Sequence, residues 1–202
     1  VENTVSSISV NATAVAATST ITGTGTKKLS VGTNIINVKC KSGSGSTRTY
    51  KLTVVRKEAA KPTGTLSSAK YTVGDKYITG IVPGTRAADF LAGLSVDGGT
   101  AKLVGTDGKQ NQGLVATGNK VEVYVNNKKK TSYKVVIYGD VNGDGEINVL
   151  DMIKVNRHIL GLDKLSGTYL VAADANHKGD GLNVLDMIYI NRHALGLSTI
   201  KQ

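Results

Sequence analysis

Apolar and polar residues alternate along the first two thirds of the chain, and a helical period replaces this alternation in the last third. Val5 to Val10 alternates loosely, and Asn34 to Lys41 alternates cleanly. Thr49 to Val55 follows, with Tyr50, Leu52 and Val54 on one face. Turn-forming stretches rich in Gly, Thr and Ser separate them, such as Gly23–Thr26 and Ser42–Ser46. Residues 1–60 are therefore expected to form an all-β sandwich. Ile36, Val38 and Cys40 share one face of their strand, which predicts a buried structural thiol for the single cysteine.

Residues 57–68 read as a linker, built from Lys, Ala, Pro, Gly, Thr and Ser with almost no large apolar side chain. Residues 61–137 then make a small β-rich (α+β) module. Tyr77–Ile81 predicts a short strand. Thr85 is placed to N-cap a helix over Arg86–Leu91 that stops at Gly93. Val121, Val123 and Val125 alternate with Glu122 and Tyr124, and the polar turn Asn126–Lys130 leads into Tyr133–Tyr138. These two segments predict a hairpin.

At Tyr138 the period changes. Asn148–Leu162 and Asn183–Leu197 are identical at twelve of fifteen positions at an offset of 35, so residues 138–202 contain an internal duplication. At 100° per residue each copy carries two apolar stripes. Met152, Val155, Ile159 and Leu162 form the expected core stripe of the first helix, and Met187, Ile190, Ala194 and Leu197 that of the second. The other stripe holds Val149, Leu150, Ile153, Asn156, Arg157 and Leu160, repeated as Val184, Leu185, Ile188, Asn191, Arg192 and Leu195. A module of this size with two short helices buries only one stripe well. An exposed apolar patch carrying Arg and Asn has the character of a partner-binding face.

A loop precedes each helix. In Asp140–Asp151, oxygen-bearing side chains fall at positions 1, 3, 5, 9 and 12, with Gly145 at position 6. That spacing suits calcium, a hard cation that needs six to eight oxygens on a tightly curled backbone. The candidate ligands are Asp140, Asn142, Asp144, Asn148 and Asp151, with Glu146 contributing its main-chain carbonyl. The second loop, Asp174–Asp186, has thirteen residues and puts Lys178, which cannot ligate, at the nominal position 5. Asp174, Asn176, Asp180 and Asp186 are its candidate ligands, with Asn183 as a further one. A weaker or metal-free second loop is the alternative.

Two resemblances follow from these residues. Leu29–Val38 with Ser46–Val55 resembles the cadherin-like β-sandwich modules of bacterial surface proteins. The first strand or two of that pattern is missing, and no leader precedes Val1, so a mature fragment or excised piece is expected. The paired loop-helix units of residues 138–202 resemble type I dockerin modules. This resemblance implies an all-α module with two calcium ions, two antiparallel helices related by a pseudo-twofold axis, and a cohesin module of a scaffoldin as partner. The recognition positions it implies are Val149, Leu150, Asn156 and Arg157, repeated as Val184, Leu185, Asn191 and Arg192. Because both helices carry the same set, binding in two orientations is expected. Many relatives have Ser-Thr where Val149 and Leu150 stand, which implies a more apolar cohesin surface.

The whole chain is thus expected to be multi-domain, with an all-β sandwich, a small β-rich module and an all-α dockerin. Charge supports cation ligation at the end. The net charge is +10, yet residues 138–202 hold eight of the fifteen carboxylates against six basic side chains. The basic excess in front is read as solvated sheet faces and not as nucleic-acid binding, since no nucleic-acid motif accompanies it. One cysteine excludes an internal disulfide framework, and no apolar run is long enough to span a membrane. No nucleophile–base or phosphate-loop pattern appears, so the chain is not expected to be an enzyme itself, although it could end a larger secreted one. The expected role is a secreted, calcium-dependent adaptor that plugs into a cellulosome- or amylosome-like complex at a bacterial surface. The alternative is a carbohydrate-binding or spacer protein whose β modules carry the activity.

Overall fold

The computed structural model describes all 202 residues, which form twelve strands and four helices in two compact units, Val1–Lys61 and Pro62–Gln202.

The first unit contains β1 (Ser7–Val10), β2 (Thr20–Thr22), β3 (Gly25–Lys28), β4 (Gly32–Lys41) and β5 (Thr47–Arg56). The clean alternation from Asn34 becomes a ten-residue strand, β4, paired antiparallel with β5 from Gly32↔Arg56 to Lys41↔Thr47. Strand β2 lies on the other edge of β4, and β1 pairs with β3 in a separate two-stranded sheet. Val10, Leu29, Ile36 and Val38 make a small core, with Val54 packed against it. The expected inward face of β5 is only partly realised. Tyr50 and Leu52 are exposed, and Cys40 is half-buried, not buried. These three side chains line a shallow apolar groove of about 510 Å³ with Val38 and Ile21. The two-stranded β1–β3 sheet has too little area to cover the whole inner face of β4 and β5.

In the second unit, β6 (Leu66–Ser67) pairs with β9 (Ser95–Val96). A mixed sheet runs in the order β10 (Thr100–Val104), β11 (Lys120–Val125), β12 (Lys128–Val135), β8 (Tyr77–Thr79) and β7 (Thr72–Val73). The predicted hairpin is β11–β12. Asn126 and Asn127 turn it at φ of 50° and 60°, as a two-residue turn with two left-handed positions requires. Helix α1 (Ala87–Ala92) drops Phe90 into a core with Ile78, Leu103, Val121, Val123 and Val135, all fully buried. Thr85 does not cap this helix. Arg86 is the N-cap residue, and the Thr85 hydroxyl donates to the Val82 carbonyl. The linker is also shorter than its composition suggests. Thr63 bonds Asp97 through its N–H and hydroxyl, and Leu66 is buried, so the chain has joined the second unit by then.

The remaining elements are α2 (Val149–Ile159), α3 (Gly167–Ala173) and α4 (Val184–Ala194). The expectation of a multi-domain chain ending in an all-α module is corrected here. The protein is a mixed helix-and-strand chain, less than half of residues 138–202 is helical, and that stretch shares one compact unit with the five-stranded sheet. The physical reason lies in the loops. Their backbone N–H groups are satisfied by Asp and Asn side chains, and in the first loop the Gly145 carbonyl also accepts the Gly84 N–H, so they need no helix of their own. Helix α3 is absent from the sequence reading. Seven residues are too few to display a helical period, and Thr168, Ala172 and Ala173 offer only small buried surfaces.

Candidate calcium loops and partner-binding face

Each duplicated helix starts and stops by the same devices. Asn148 accepts the Leu150 N–H at 2.8 Å, while Asp151 accepts the Asn148 N–H at 2.9 Å. Asn183 and Asp186 repeat this reciprocal cap at 2.8 and 3.0 Å. At the other end, Gly161 and Gly196 adopt φ of 69° and 68°. The Leu162 and Leu197 N–H groups then reach back to the carbonyls of Arg157 and Arg192. His158 and His193 accept N–H groups seven residues on, from Leu165 at 2.9 Å and Ile200 at 3.1 Å. They tie the chain after each helix to that helix.

Loop one is curled around Asp140, which is fully buried. Its Oδ1 accepts from Gly143 and Asp144 N–H at 2.8 and 3.1 Å, and its Oδ2 from Thr117 and Gly145 N–H at 2.8 and 3.2 Å. Asp151, also fully buried, accepts the N–H groups of Val141 and Asn142 through Oδ1. Asn142 and Asp144 accept from the N–H groups two residues on, at 2.9 Å each, the second from Glu146. Gly145 holds φ of 89°, which supplies the sharp turn that position 6 requires.

Burial, offset in part by the Thr117 N–H and strengthened by the Asp151 charge, pushes the Asp140 carboxyl up to about 6. Burial likewise raises Asp151. No Lys or Arg pairs with Asp140, Asp144 or Asp151. Two buried, unneutralised carboxylates beside a third are costly unless a cation joins them. No three His, Cys, Asp or Glu side chains stand close enough to form a metal cluster by themselves. The fit to calcium therefore rests on an all-oxygen donor set in which amide oxygens and a main-chain carbonyl complement the carboxylates.

Loop two is looser. Asp186 is buried and accepts the Asn176 N–H at 3.2 Å, while Asp174 accepts only the Gly179 N–H, at 3.1 Å. Asp180 is exposed and accepts from the Asn183 amide at 3.3 Å. The Asn176 amide nitrogen is buried without a partner. His177 stands at position 4, where loop one has Gly143, and its φ of 57° puts a non-glycine residue in the left-handed region. His177 is held there by a 2.8 Å contact of Nε2 with the Lys201 carbonyl and by packing on the Tyr138 ring. The extra residue falls after His177, where Gly179 and Gly181 both take positive φ against Gly145 alone in loop one.

The two helices meet through part of their expected core stripe. Val155 and Ile190 are fully buried, with Met152 and Met187 packed beside them. Ile159, Leu162, Ala194 and Leu197 do not join this core and stay exposed, because the helices end there and no element covers them. All twelve residues of the other stripe are exposed, and its eight apolar members keep 44–64% of their surface. Each helix thus offers the same face: Val, Leu, Ile, Asn, Arg and Leu.

Residues 138–196 match the Dockerin type I domain family. A type I dockerin module accordingly occupies the C-terminal part of the chain. No curated protein matches the chain. No helix is long and apolar enough to cross a membrane.

Proposed function

We propose that this chain is a calcium-dependent adaptor whose dockerin module docks onto a cohesin module of a scaffold protein and so carries the modules attached to it into a polysaccharide-degrading assembly. The observation that carries the reading is the pair of identical exposed stripes, Val149 to Leu160 and Val184 to Leu195, on helices whose opposite faces are buried against each other. Eight half-exposed aliphatic side chains on a short helical pair form a hydrophobic patch with polar anchors, Arg157 and Arg192, within it.

Calcium would be held by Asp140, Asn142, Asp144, the Glu146 carbonyl, Asn148 and Asp151 in loop one. In loop two the holders would be Asp174, Asn176, Asp180 and Asp186, with Asn183. Bound there, the ion supplies charge neutralisation and a fixed loop shape. It also fixes the start of the docking face, since Val149 and Leu150 lie within loop one, and Val184 and Leu185 within loop two. The protein is non-catalytic in this reading, and its front β modules serve as spacers. It acts outside the cell, on a cellulosome- or amylosome-like scaffold at a bacterial surface. The duplicated faces support docking in two orientations.

A pull-down of the full chain against a panel of cohesins, with calcium and with chelator, tests this. Capture by at least one cohesin in calcium and its loss in chelator is the expected result. Failure of every cohesin, with the chain folded and calcium-loaded, overturns it.

A further inference from the structure

The two loops differ in what lies behind them. In loop one the Asp140 carboxylate accepts an N–H from outside the module, that of Thr117, through a buried 2.8 Å bond. The Gly84 N–H donates to the Gly145 carbonyl at 2.8 Å, a second tie from the β-rich part. Both loop glycines press against the same backbone. A Cβ on Gly143 would stand 3.0 Å from the Thr117 carbonyl oxygen, and one on Gly145 would stand 2.6 Å from that of Val115. In loop two, Gly179 and Gly181 face open space, and no N–H from residues 62–137 reaches any of its carboxylates.

The strip that meets loop one is itself locked. Thr117 is fully buried, and its hydroxyl exchanges hydrogen bonds with Ile137, donating to the carbonyl at 3.2 Å and accepting the N–H at 3.1 Å. The buried Asn119 holds the turn beneath, accepting the Ala116 N–H. Val115 N–H donates to the Thr85 carbonyl at 2.9 Å. None of these bonds involves an ion.

We propose that residues 115–119 are a built-in seat that holds the first calcium loop in its curled form before the ion arrives, whereas the second loop is curled by its ion. The inference rests on the calcium reading of the loops given above. Thr117 is a positioning residue in this scheme: it touches no ion and acts by directing its N–H at the position-1 carboxylate. The β-rich part is consequently an element of the first site and not a spacer alone, and the two calcium sites are unequal although their helices are near-identical. A preorganised site binds more tightly because less ordering opposes binding.

Hydrogen exchange on the full chain in chelator reads this directly. The amides of Gly143, Asp144 and Gly145 should exchange much more slowly than those of Lys178 and Gly179, and calcium should then slow loop two far more than loop one. Equal exchange of the two loops in chelator overturns the seat. A second arm uses calcium titration in an Asp174→Ala, Asp180→Ala background that silences loop two. There Thr117→Val keeps the N–H aimed at Asp140 but removes the hydroxyl that anchors it to Ile137; it should weaken the remaining site about tenfold, the scale of a disturbed outer-shell contact, and Thr117→Ser should restore it. Equal affinities for the Val and Ser variants, or an equal loss at loop two when loop one is the silenced one, also overturn it. If the chain takes up no calcium at all, the ion reading fails, and the ion-free exchange pattern still decides whether the seat exists.

Discussion

Stripping one docking face, and then both, distinguishes two-way docking from docking through a single face. Leu150 and Ile153 of α2, with Leu160 at its C-cap, retain 54%, 44% and 62% of their surface. A partner covering them would remove about half a side chain of apolar surface from water at each. Full burial of such a side chain is worth about 1.5–3 kcal/mol, so each contributes about 1 kcal/mol and the three together about 3 kcal/mol. Replacing all three with Ala leaves the fold intact, because none of them belongs to the core and Ala favours helix.

If the partner can use either helix, removing one face leaves the other orientation. Affinity then falls only about twofold, or about 0.4 kcal/mol. The matching triple substitution of Leu185 and Ile188 on α4 and Leu195 at its C-cap should give the same small loss. All six together should cost about 3 kcal/mol, roughly a hundredfold. Isothermal titration of the captured cohesin in calcium measures this, with circular dichroism as the check on folding. A hundredfold loss from one triple alone refutes the two-orientation reasoning.

Other expectations follow from the same contacts. Chelator should lower the unfolding temperature of the second unit, and calcium at about a thousand times its dissociation constant should restore roughly 4 kcal/mol; a thermal scan insensitive to calcium would contradict the loop assignments. Gly145→Ala and Gly181→Ala both put a side chain at left-handed φ, 89° and 82°, a strain of about 1–2 kcal/mol. Only the first meets a backbone oxygen at 2.6 Å, so denaturant unfolding in chelator should show the larger destabilisation for Gly145→Ala. Burial lowers the pKa of His193, whose Nδ1 must stay unprotonated to accept the Ile200 N–H. That stability is present above the unfolded-state pKa of about 6.5 and is lost as pH falls through the lower folded value. Melting curves should therefore show acid destabilisation that His193→Asn, which keeps an acceptor, diminishes. Phe90→Ala should cost about 3–5 kcal/mol in the second unit, read by urea titration, because nothing nearby can refill the centre of that core.

The amino-acid sequence by itself determined the features that are local. The oxygen spacing of the first loop, its position-6 glycine and the helix that runs on to Gly161 all act within a dozen residues or so, so their spacing is their geometry, and their repetition marked the second copy. The exposed stripe was legible for the same reason, since a helical period assigns a face without reference to anything distant. Tertiary structure decided what depended on a neighbour far along the chain. Which apolar residues are covered hung on what lies opposite: Tyr50 and Leu52 stay exposed under a two-stranded sheet, and Ile159 and Leu162 stay exposed past the helix crossing. Helix α3 exists through small buried contacts that carry no period. The first loop read as a self-contained calcium site. Its leading aspartate proves to be gripped by Thr117, 23 residues earlier, because a buried carboxylate takes its hydrogen bonds from whatever backbone the fold brings beside it.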